Sequence, residues 1–345
     1  MKSKVTLKFF LSYIKNKKYW CDLIKANLIK QNYCFDDSYV KFCYWDYYKL
    51  CKKYGPNTKL ETDYFGAGLY LKSDLARRNS FATGRRYSWR AEMNDKALSN
   101  KFDDKSWFYE HFSEYLGRKF IFLKETNNDE ILKFIQLNTK YVLKEIHGEG
   151  GKSVDFVTFE NENDVHNFVD KYSGSNYLIE EVLVQADDIR DFNPGSVNTF
   201  RIITIIDKDG NPHIAQAILR MGNGKEVDNF CSGGLAAEID VASGVIKTIA
   251  VDQYGGEYIS HPITNKQIVG YRIEDWQEYC DFCLKLAKVC PQIRFVGWDI
   301  IKNNKGQICA IEGNSTSGGN ITECNSLKGH MRDFEKIANQ SGGGY

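Results

Sequence analysis

Two apolar runs, Arg294-Phe-Val-Gly-Trp-Asp-Ile-Ile-Lys302 and Gln307-Ile-Cys-Ala-Ile-Glu-Gly-Asn314, flank the turn-forming Asn303-Asn-Lys-Gly306. They read as a hairpin whose inward polar residues are Asp299, Glu312 and Asn314. Strand side chains alternate, so Glu312 and Asn314 share a face, and a turn near residue 305 sets Asp299 opposite Glu312. Turn residues belong at 303–306, whereas these three sit inside apolar runs, where an unpaired carboxylate is costly. Two carboxylates and an amide oxygen suit Mg²⁺, a hard cation that keeps water and takes its remaining ligands from substrate phosphates. The expected companion of such a site is a nucleotide.

Other residue patterns fit the same chemistry. Lys144 precedes a glycine-rich loop with Gly148, Gly150 and Gly151, which can close backbone N–H groups over phosphates, although such loops are also ordinary hairpin tips. The run Glu180-Glu181-Val182-Leu183 can offer backbone groups to an adenine edge, with Asp187 or Asp188 in reach of a ribose, or it can simply link two lobes. Ser196–Thr204 and Ile214–Arg220 predict a hairpin across Asp207–Gly210 that places Arg201 and Arg220 at comparable levels in apolar strands. Two inward guanidinium groups need anions: phosphate, a substrate carboxylate, or internal partners such as Asp228 or Glu226. Asn229 and the amides of the following Gly233-Gly234 loop are placed to close on a transferring phosphoryl group.

The elements that must position these residues follow from periodicity and breakers. Residues 1 to about 95 are rich in Lys, Tyr, Phe and Trp and read as helices, with a break at Gly55-Pro56. A helical stretch over Asn94–Leu116 follows, then a strand at Lys119–Leu123, a helix over Asp129–Gln136, strands at Tyr141–Ile146 and Val154–Phe159, a helix over Asn163–Tyr172 and a strand over Tyr177–Gln185. The remainder predicts antiparallel hairpins and one helix within Ile273–Val289. The clustered Tyr and Phe residues of 1–70 predict either a private core or a homodimer face.

The order of these motifs resembles the ATP-grasp superfamily, specifically its sugar-transfer-associated branch of carboxylate–amine ligase-like proteins. The resemblance spans about residues 94–325 and rests on Asp104-Lys105, Lys144 with Gly148–Gly151, Glu180–Leu183, Ser196–Arg201, Leu219-Arg220 with Val227–Asn229, Val296–Asp299 and Ile311–Asn314. It implies an α+β fold, two lobes sandwiching ATP, a small lobe with a glycine-rich flap at 94–178 and a large lobe with the metal site at 179–340, here preceded by the helical region read at 1–93. It further implies Lys105 and Lys144 on phosphates, Glu180, Glu181 and Leu183 at adenine, Asp187 or Asp188 at the ribose, and two Mg²⁺ ions on Asp299, Glu312 and Asn314. The chemistry implied is amide formation from a carboxylate and an amine through an acyl phosphate, with a small molecule, sugar acid or glycan as substrate, Arg220 stabilising the transferring group and Arg201 assisting. Phosphate transfer to a hydroxyl and nucleotide sensing without turnover are the alternatives on the same fold. Two departures stand out: most members begin with an α/β domain where this chain is helical and aromatic, and Ser315–Asn320 replaces an acidic or proline-containing loop.

Composition excludes several classes. The chain has 345 residues, more than one compact core usually holds, and 46 basic against 45 acidic residues leave a formal charge of +1. No global field recruits nucleic acid or membrane, though local patches remain open. Arg77, Arg78, Arg85, Arg86 and Arg90 cluster among aromatics and read as a solvated face, an anionic-substrate site or a nucleic-acid contact. The apolar Val5–Ile14 is too short to span a bilayer and lacks a cleavage signal, so a cytoplasmic protein with reduced cysteines is expected. Cys280-Asp-Phe-Cys283 lies on a helical pattern with no second ligand pair, and the six histidines show no paired spacing, so neither is assigned metal or catalytic work.

Overall fold

The computed structural model of the chain describes residues 2–31, 33–54, 60–65, 69–70, 89, 92–147, 154–224, 228–253, 256–315, 317, 321–322 and 330–340. The arginine cluster at 77–90, the Gly55-Pro56 break, Glu226 and the glycines of the 148–151 loop lie outside these residues.

Three helices open the chain: α1 (Lys2–Lys15), α2 (Lys17–Lys30) and α3 (Asp37–Tyr54). They close on an aromatic core of their own around Tyr13, Tyr44, Tyr47 and Tyr64. The Tyr13 and Tyr44 rings stack at 4.7 Å, and each hydroxyl donates to the other residue's carbonyl oxygen, at 2.9 and 3.2 Å. These two buried phenols are satisfied without a charged partner, whereas the Tyr64 hydroxyl donates to the Asp46 carboxylate at 2.8 Å.

The predicted helix over 94–116 divides into α4 (Lys96–Phe102), α5 (Lys105–His111) and a short 3₁₀ turn. The division falls at Asp104, whose carboxylate accepts the backbone N–H groups of Ser106 and Trp107 and so starts a new helix. Then follow β1 (Phe120–Phe122), α6 (Asn128–Ile135), β2 (Lys140–Glu145), β3 (Val154–Thr158), α7 (Glu162–Tyr172) and β4 (Tyr177–Glu181). Asn127 caps α6, and Asn161 with Asp164 forms a reciprocal capping box on α7. The strands make an antiparallel sheet in the order β1-β4-β2-β3. Tyr141, Leu143 and Ile179 pack with α6 and α7 in one core. Alternation therefore turns Lys144 and Glu180 to the opposite face, where Leu178 joins the core of the second sheet.

The second sheet contains β5 (Phe200–Ile206), β6 (Pro212–Met221), β7 (Leu235–Ile239), β8 (Ala250–Val251), β9 (Glu257–Tyr258), β10 (Phe295–Lys302) and β11 (Ile308–Asn314), ordered β11-β10-β5-β6-β7-β8-β9. A four-residue helix, α8 (Asp187–Arg190), precedes it. Two predicted turns close at Gly210 and Gly306, whose φ values of +89° and +79° suit a residue without a side chain. One face of the sheet, with Phe200, Ile202, Ala217, Leu219, Trp298 and Ile300, packs against α9 (Trp276–Val289) through Tyr279, Cys283 and Leu286. Cys280 and Cys283 thus belong to this core, and burial raises both thiol pKa values, that of Cys280 to about 11. The other face holds Ile203 and Ile205 under Phe334 and Ala338 of α10 (Met331–Asn339) at one end and the polar site residues at the other. Among the described residues no helix is long and apolar enough to cross a membrane.

Candidate nucleotide and metal site

The hairpin predicted at 294–314 forms with the expected register. Asp299 faces Glu312 directly, Gly297 faces Asn314, and a bulge follows as Ile300 moves to face Ala310. On its other side Asp299 faces Arg201 of β5, so Arg201, Asp299 and Glu312 run as one row across three strands. Directly paired residues in antiparallel strands share a face, which makes this row a consequence of register.

Asp299 is 2% exposed. Arg201 grips it with both ends of its fork, Nε to Oδ1 at 2.6 Å and Nη2 to Oδ2 at 3.0 Å, and Arg220 Nη1 reaches Oδ2 at 3.2 Å. Burial alone would raise the Asp299 pKa, but the two guanidinium groups hold it below the usual carboxylate range. Glu312 behaves in the opposite way: enclosure by protein and the neighbouring Asp299 charge push its pKa up. Its side chain is nonetheless open to water, so it lies in a cleft that solvent reaches rather than in sealed protein. Asn314 Nδ2 donates to Glu312 Oε1 at 3.2 Å, and the amide rotates to present its oxygen if a cation takes that place.

These donors fit a divalent cation. Two carboxylates lie side by side, and the one in the open cleft holds its charge only against resistance, so added positive charge is favoured there. Among the described residues no three His, Cys, Asp or Glu side chains form a metal cage. An ion here would take two carboxylates and one amide from the protein and the rest from phosphates or water, which is the habit of Mg²⁺.

Arg201 and Arg220 both find internal anions. Arg201 adds a bond from Nη1 to Ser317 Oγ at 2.9 Å, which leaves its fork committed to holding Asp299 rather than open to a ligand carboxylate. Arg220 Nε donates to Thr199 Oγ1 at 2.7 Å, and its guanidinium pairs with Asp228 at 3.3 Å, one of the two internal partners that stood as the alternative to a ligand anion. Asp228 also accepts the Thr199 backbone N–H at 3.0 Å. Next to it, the Asn229 carbonyl accepts the N–H groups of Ser232 and Gly234, at 2.8 and 3.1 Å, closing a tight turn beside Arg220.

Across the cleft, Lys105 leads α5 and donates to the Ile146 carbonyl at 3.3 Å. Burial lowers its pKa, while the negative charge of Glu312 acts in the opposite direction. Lys144 is engaged more tightly: Nζ lies 2.6 Å from Glu180 Oε1 and 3.0 Å from the Tyr109 hydroxyl. Glu180 in turn takes Arg118 Nε at 2.7 Å and the Tyr109 hydroxyl at 2.5 Å on its other oxygen. Burial would raise the Glu180 pKa, yet Arg118 and Lys144 bring it down to about 2. Arg118 also donates to the carbonyls of Leu116 and Ala310, both at 2.9 Å, and so joins the small sheet to the strand carrying Glu312.

The run after Glu180 departs from expectation. The strand ends at Glu181 instead of continuing to Gln185, because Gln185 leaves the sheet to bridge Asn303. Residues 184–186 are pinned to the metal hairpin by Asn304 N–H to Val184 O at 2.8 Å and Ala186 N–H to Lys302 O at 2.9 Å. Glu180 points into the buried ion network, whereas Glu181 accepts the Lys119 N–H at 3.0 Å and Leu183 is half-buried. Asp187 is exposed and pairs with Arg190 at 3.2 Å, and the Asp188 carbonyl accepts the Tyr271 hydroxyl at 3.2 Å. The Asp188 carbonyl also accepts Lys266 Nζ, and among the described residues neither aspartate is bonded to Lys105, Lys144 or the 294–314 hairpin. Gly148, Gly150 and Gly151 lie outside the described residues, between the paired ends of β2 and β3, where Lys144 faces Val154.

Sequence reading passed over Arg118, Tyr109, Thr199 and Ser317. The signal for Arg118 was slight, a single arginine between Gly117 and a short apolar strand.

No curated protein sequence matches the chain. Similar solved structures include the ATP-grasp ligase PsnB complexed with a phosphomimetic variant of minimal precursor, Mg and ADP, at 12% identity and TM-score 0.40, over 71% of this chain and 56% of that one. They also include an N5-carboxyaminoimidazole synthase from Aspergillus clavatus in complex with ADP and an aminoimidazole ribonucleotide, at 11% identity and TM-score 0.40, over 65% and 46% of the two chains. A third is a Chryseobacterium gregarium RiPP-associated ATP-grasp ligase in complex with ADP and a leader and core peptide, at 12% identity and TM-score 0.41, over 73% and 66%. This chain thus spans little more than half the length of the first of them. The model of the family described as sugar-transfer associated ATP-grasp matches residues 84–338, most of the chain, and the chain therefore belongs to that family.

Proposed function

We propose that the cleft binds ATP with Mg²⁺ and that the protein is an ATP-dependent carboxylate–amine ligase. Residues 94–178 and 179–340 act as the two lobes, with Lys105 and Lys144 on phosphates, the 148–151 glycines as a flap, and Glu180–Leu183 with Asp187 or Asp188 at the nucleoside. Asp299, Glu312 and Asn314 hold the metal, which when bound neutralises phosphate charge. The observation that carries this reading is the convergence of Arg201 and Arg220 on Asp299, beside a Glu312 whose charge is resisted and which faces Lys105 across the cleft.

The chain's residues supply positioning and charge. Arg201 fixes Asp299, and Arg220, anchored by Thr199 and Asp228, presents the rest of its guanidinium to the transferring phosphoryl group. A substrate carboxylate oxygen forms the new bond to the γ-phosphorus as the bond to ADP breaks. An amine nitrogen then attacks the acyl carbon, phosphate leaves, and the amine gives up a proton. Lys144 is 12% exposed in its side chain, so it can exchange part of its contact with Glu180 for a phosphate oxygen. The carboxylate is a small-molecule acid, a sugar acid or a glycan.

The test is ADP release with panels of acids and amines. An acid that supports ADP release and yields a hydroxamate with hydroxylamine supports a ligase. A stable phosphorylated alcohol formed without an amine would identify a kinase instead.

A further inference from the structure

The first two helices carry a local charge that the whole chain lacks. Residues 1–21 contain six lysines, at positions 2, 4, 8, 15, 17 and 18, and no acid precedes Asp22, whereas the entire chain is +1. Lys8, Lys15, Lys17 and Lys18 are exposed. On the same helix Leu7 and Leu11 are each 62% exposed and Ile14 is 49% exposed. Their i, i+4, i+7 spacing gathers them into a stripe spanning about 60° of the helix. Lys8 and Lys15 fall on its flank, and the buried Tyr13 lies beyond its other edge. Trp45 of α3, 45% exposed, extends the apolar surface: its ring lies 5.7 Å from Tyr48, which lies 5.1 Å from Phe10 of α1. Among the described residues the aromatic core beneath does not include Leu7, Leu11, Ile14 or Trp45.

A second copy of the chain on this surface would bring lysines against lysines, which disfavours self-pairing. An acidic protein would meet the lysines but gain little from an isolated aliphatic stripe. An anionic bilayer matches both features: headgroup phosphates take the ammonium groups, the aliphatic side chains enter the acyl boundary, and the lysine stems and Trp45 suit the interface between them. We propose that α1 and the start of α2 form a peripheral docking surface for anionic lipid membranes, lying on the bilayer rather than crossing it.

Flotation of the full chain with vesicles tests this. Vesicles of mixed phosphatidylglycerol and phosphatidylcholine are expected to carry the protein at low salt, with loss at high salt, and vesicles of phosphatidylcholine alone are not. Lys15→Gln with Lys18→Gln should lower partitioning about five-fold per lysine. Leu7→Ser with Leu11→Ser should lower it about ten-fold or more, with helicity by circular dichroism unchanged. Should the serine pair misfold, the glutamine pair still decides. Absence of binding to the anionic vesicles, or undiminished binding by the folded variants, overturns the proposal. So does equal binding to polyglutamate, which would point to an acidic protein surface, or a concentration-dependent dimer abolished by the serine pair, which would make a second copy the occupant.

Discussion

Lys144 and Glu180 form an ion pair at 2.6 Å on the face of the small sheet that meets the large one, and Arg118 closes the same carboxylate from its other oxygen. The pair ties a phosphate-binding candidate to the strand proposed to meet the nucleoside. Arg118→Met would leave Glu180 buried with half its compensation, and we expect a loss of about 3–5 kcal/mol in unfolding free energy by urea titration. A loss under about 1 kcal/mol would show that water replaces Arg118.

The same carboxylate sets an acid limit. Burial opposes the Glu180 charge, but Arg118 and Lys144 bring its pKa from 4.5 to about 2 in the folded state. Its stabilisation is therefore present above pH 4.5 and is lost as pH falls from there toward 2. Glu180→Gln should flatten the stability profile over that window, and an unchanged slope would contradict the assignment.

Glu312 should trade stability for function. Its raised pKa means that the charged form is disfavoured in the metal-free protein, so stability declines as pH rises through its titration. Glu312→Gln is expected to raise the thermal midpoint measured in chelator while weakening MgATP binding. A lower midpoint would indicate that Glu312 supports the fold instead.

Gly297 tests how closely the row is packed. A Cβ there would lie 2.5 Å from Ser317 Oγ and 3.1 Å from Arg201 Cδ, so Gly297→Ala must displace Ser317, which accepts Arg201 Nη1, and crowd the arginine that holds Asp299. The expected cost is about 1–3 kcal/mol in stability together with weaker MgATP binding. Retention of both would mean that the 315–317 loop yields freely.

Arg220→Met should separate chemistry from binding. Arg220 touches Asp299 as well as Thr199 and Asp228, but in Arg220→Met the Arg201 fork still holds both Asp299 oxygens, so MgATP affinity is expected to change only a few-fold while turnover falls about 100-fold or more. Equal losses in both would make it a ground-state nucleotide ligand.

The 294–314 hairpin was legible because alternation and a glycine turn determine register, and Asp299 against Glu312 follows from those two facts alone. Arg201 and Arg220 were legible as a pair needing anions. Which anions they take depends on strand neighbours far apart in sequence, and Arg201 proves committed to Asp299. The 180–188 run was read less well. The 177–185 run predicted a strand to Gln185, but the sheet partners of β4 end at Glu181, and the Gln185 and Ala186 backbones pair with the 294–314 hairpin. Arg118 was hidden for a related reason: its five bonds reach Leu116, Tyr109, Glu180, Ala310 and Ile311, most of them distant along the chain, and no local pattern encodes such a hub.

Calorimetric titration with ATP in the presence and absence of Mg²⁺ tests the site most directly. The wild-type protein is expected to bind ATP with Mg²⁺ and to lose most of that affinity in chelator, and Glu312→Gln should weaken binding about 100-fold or more while staying folded. No uptake of MgATP by the wild type, or wild-type affinity in Glu312→Gln, would contradict a metal-clamped triphosphate in this cleft.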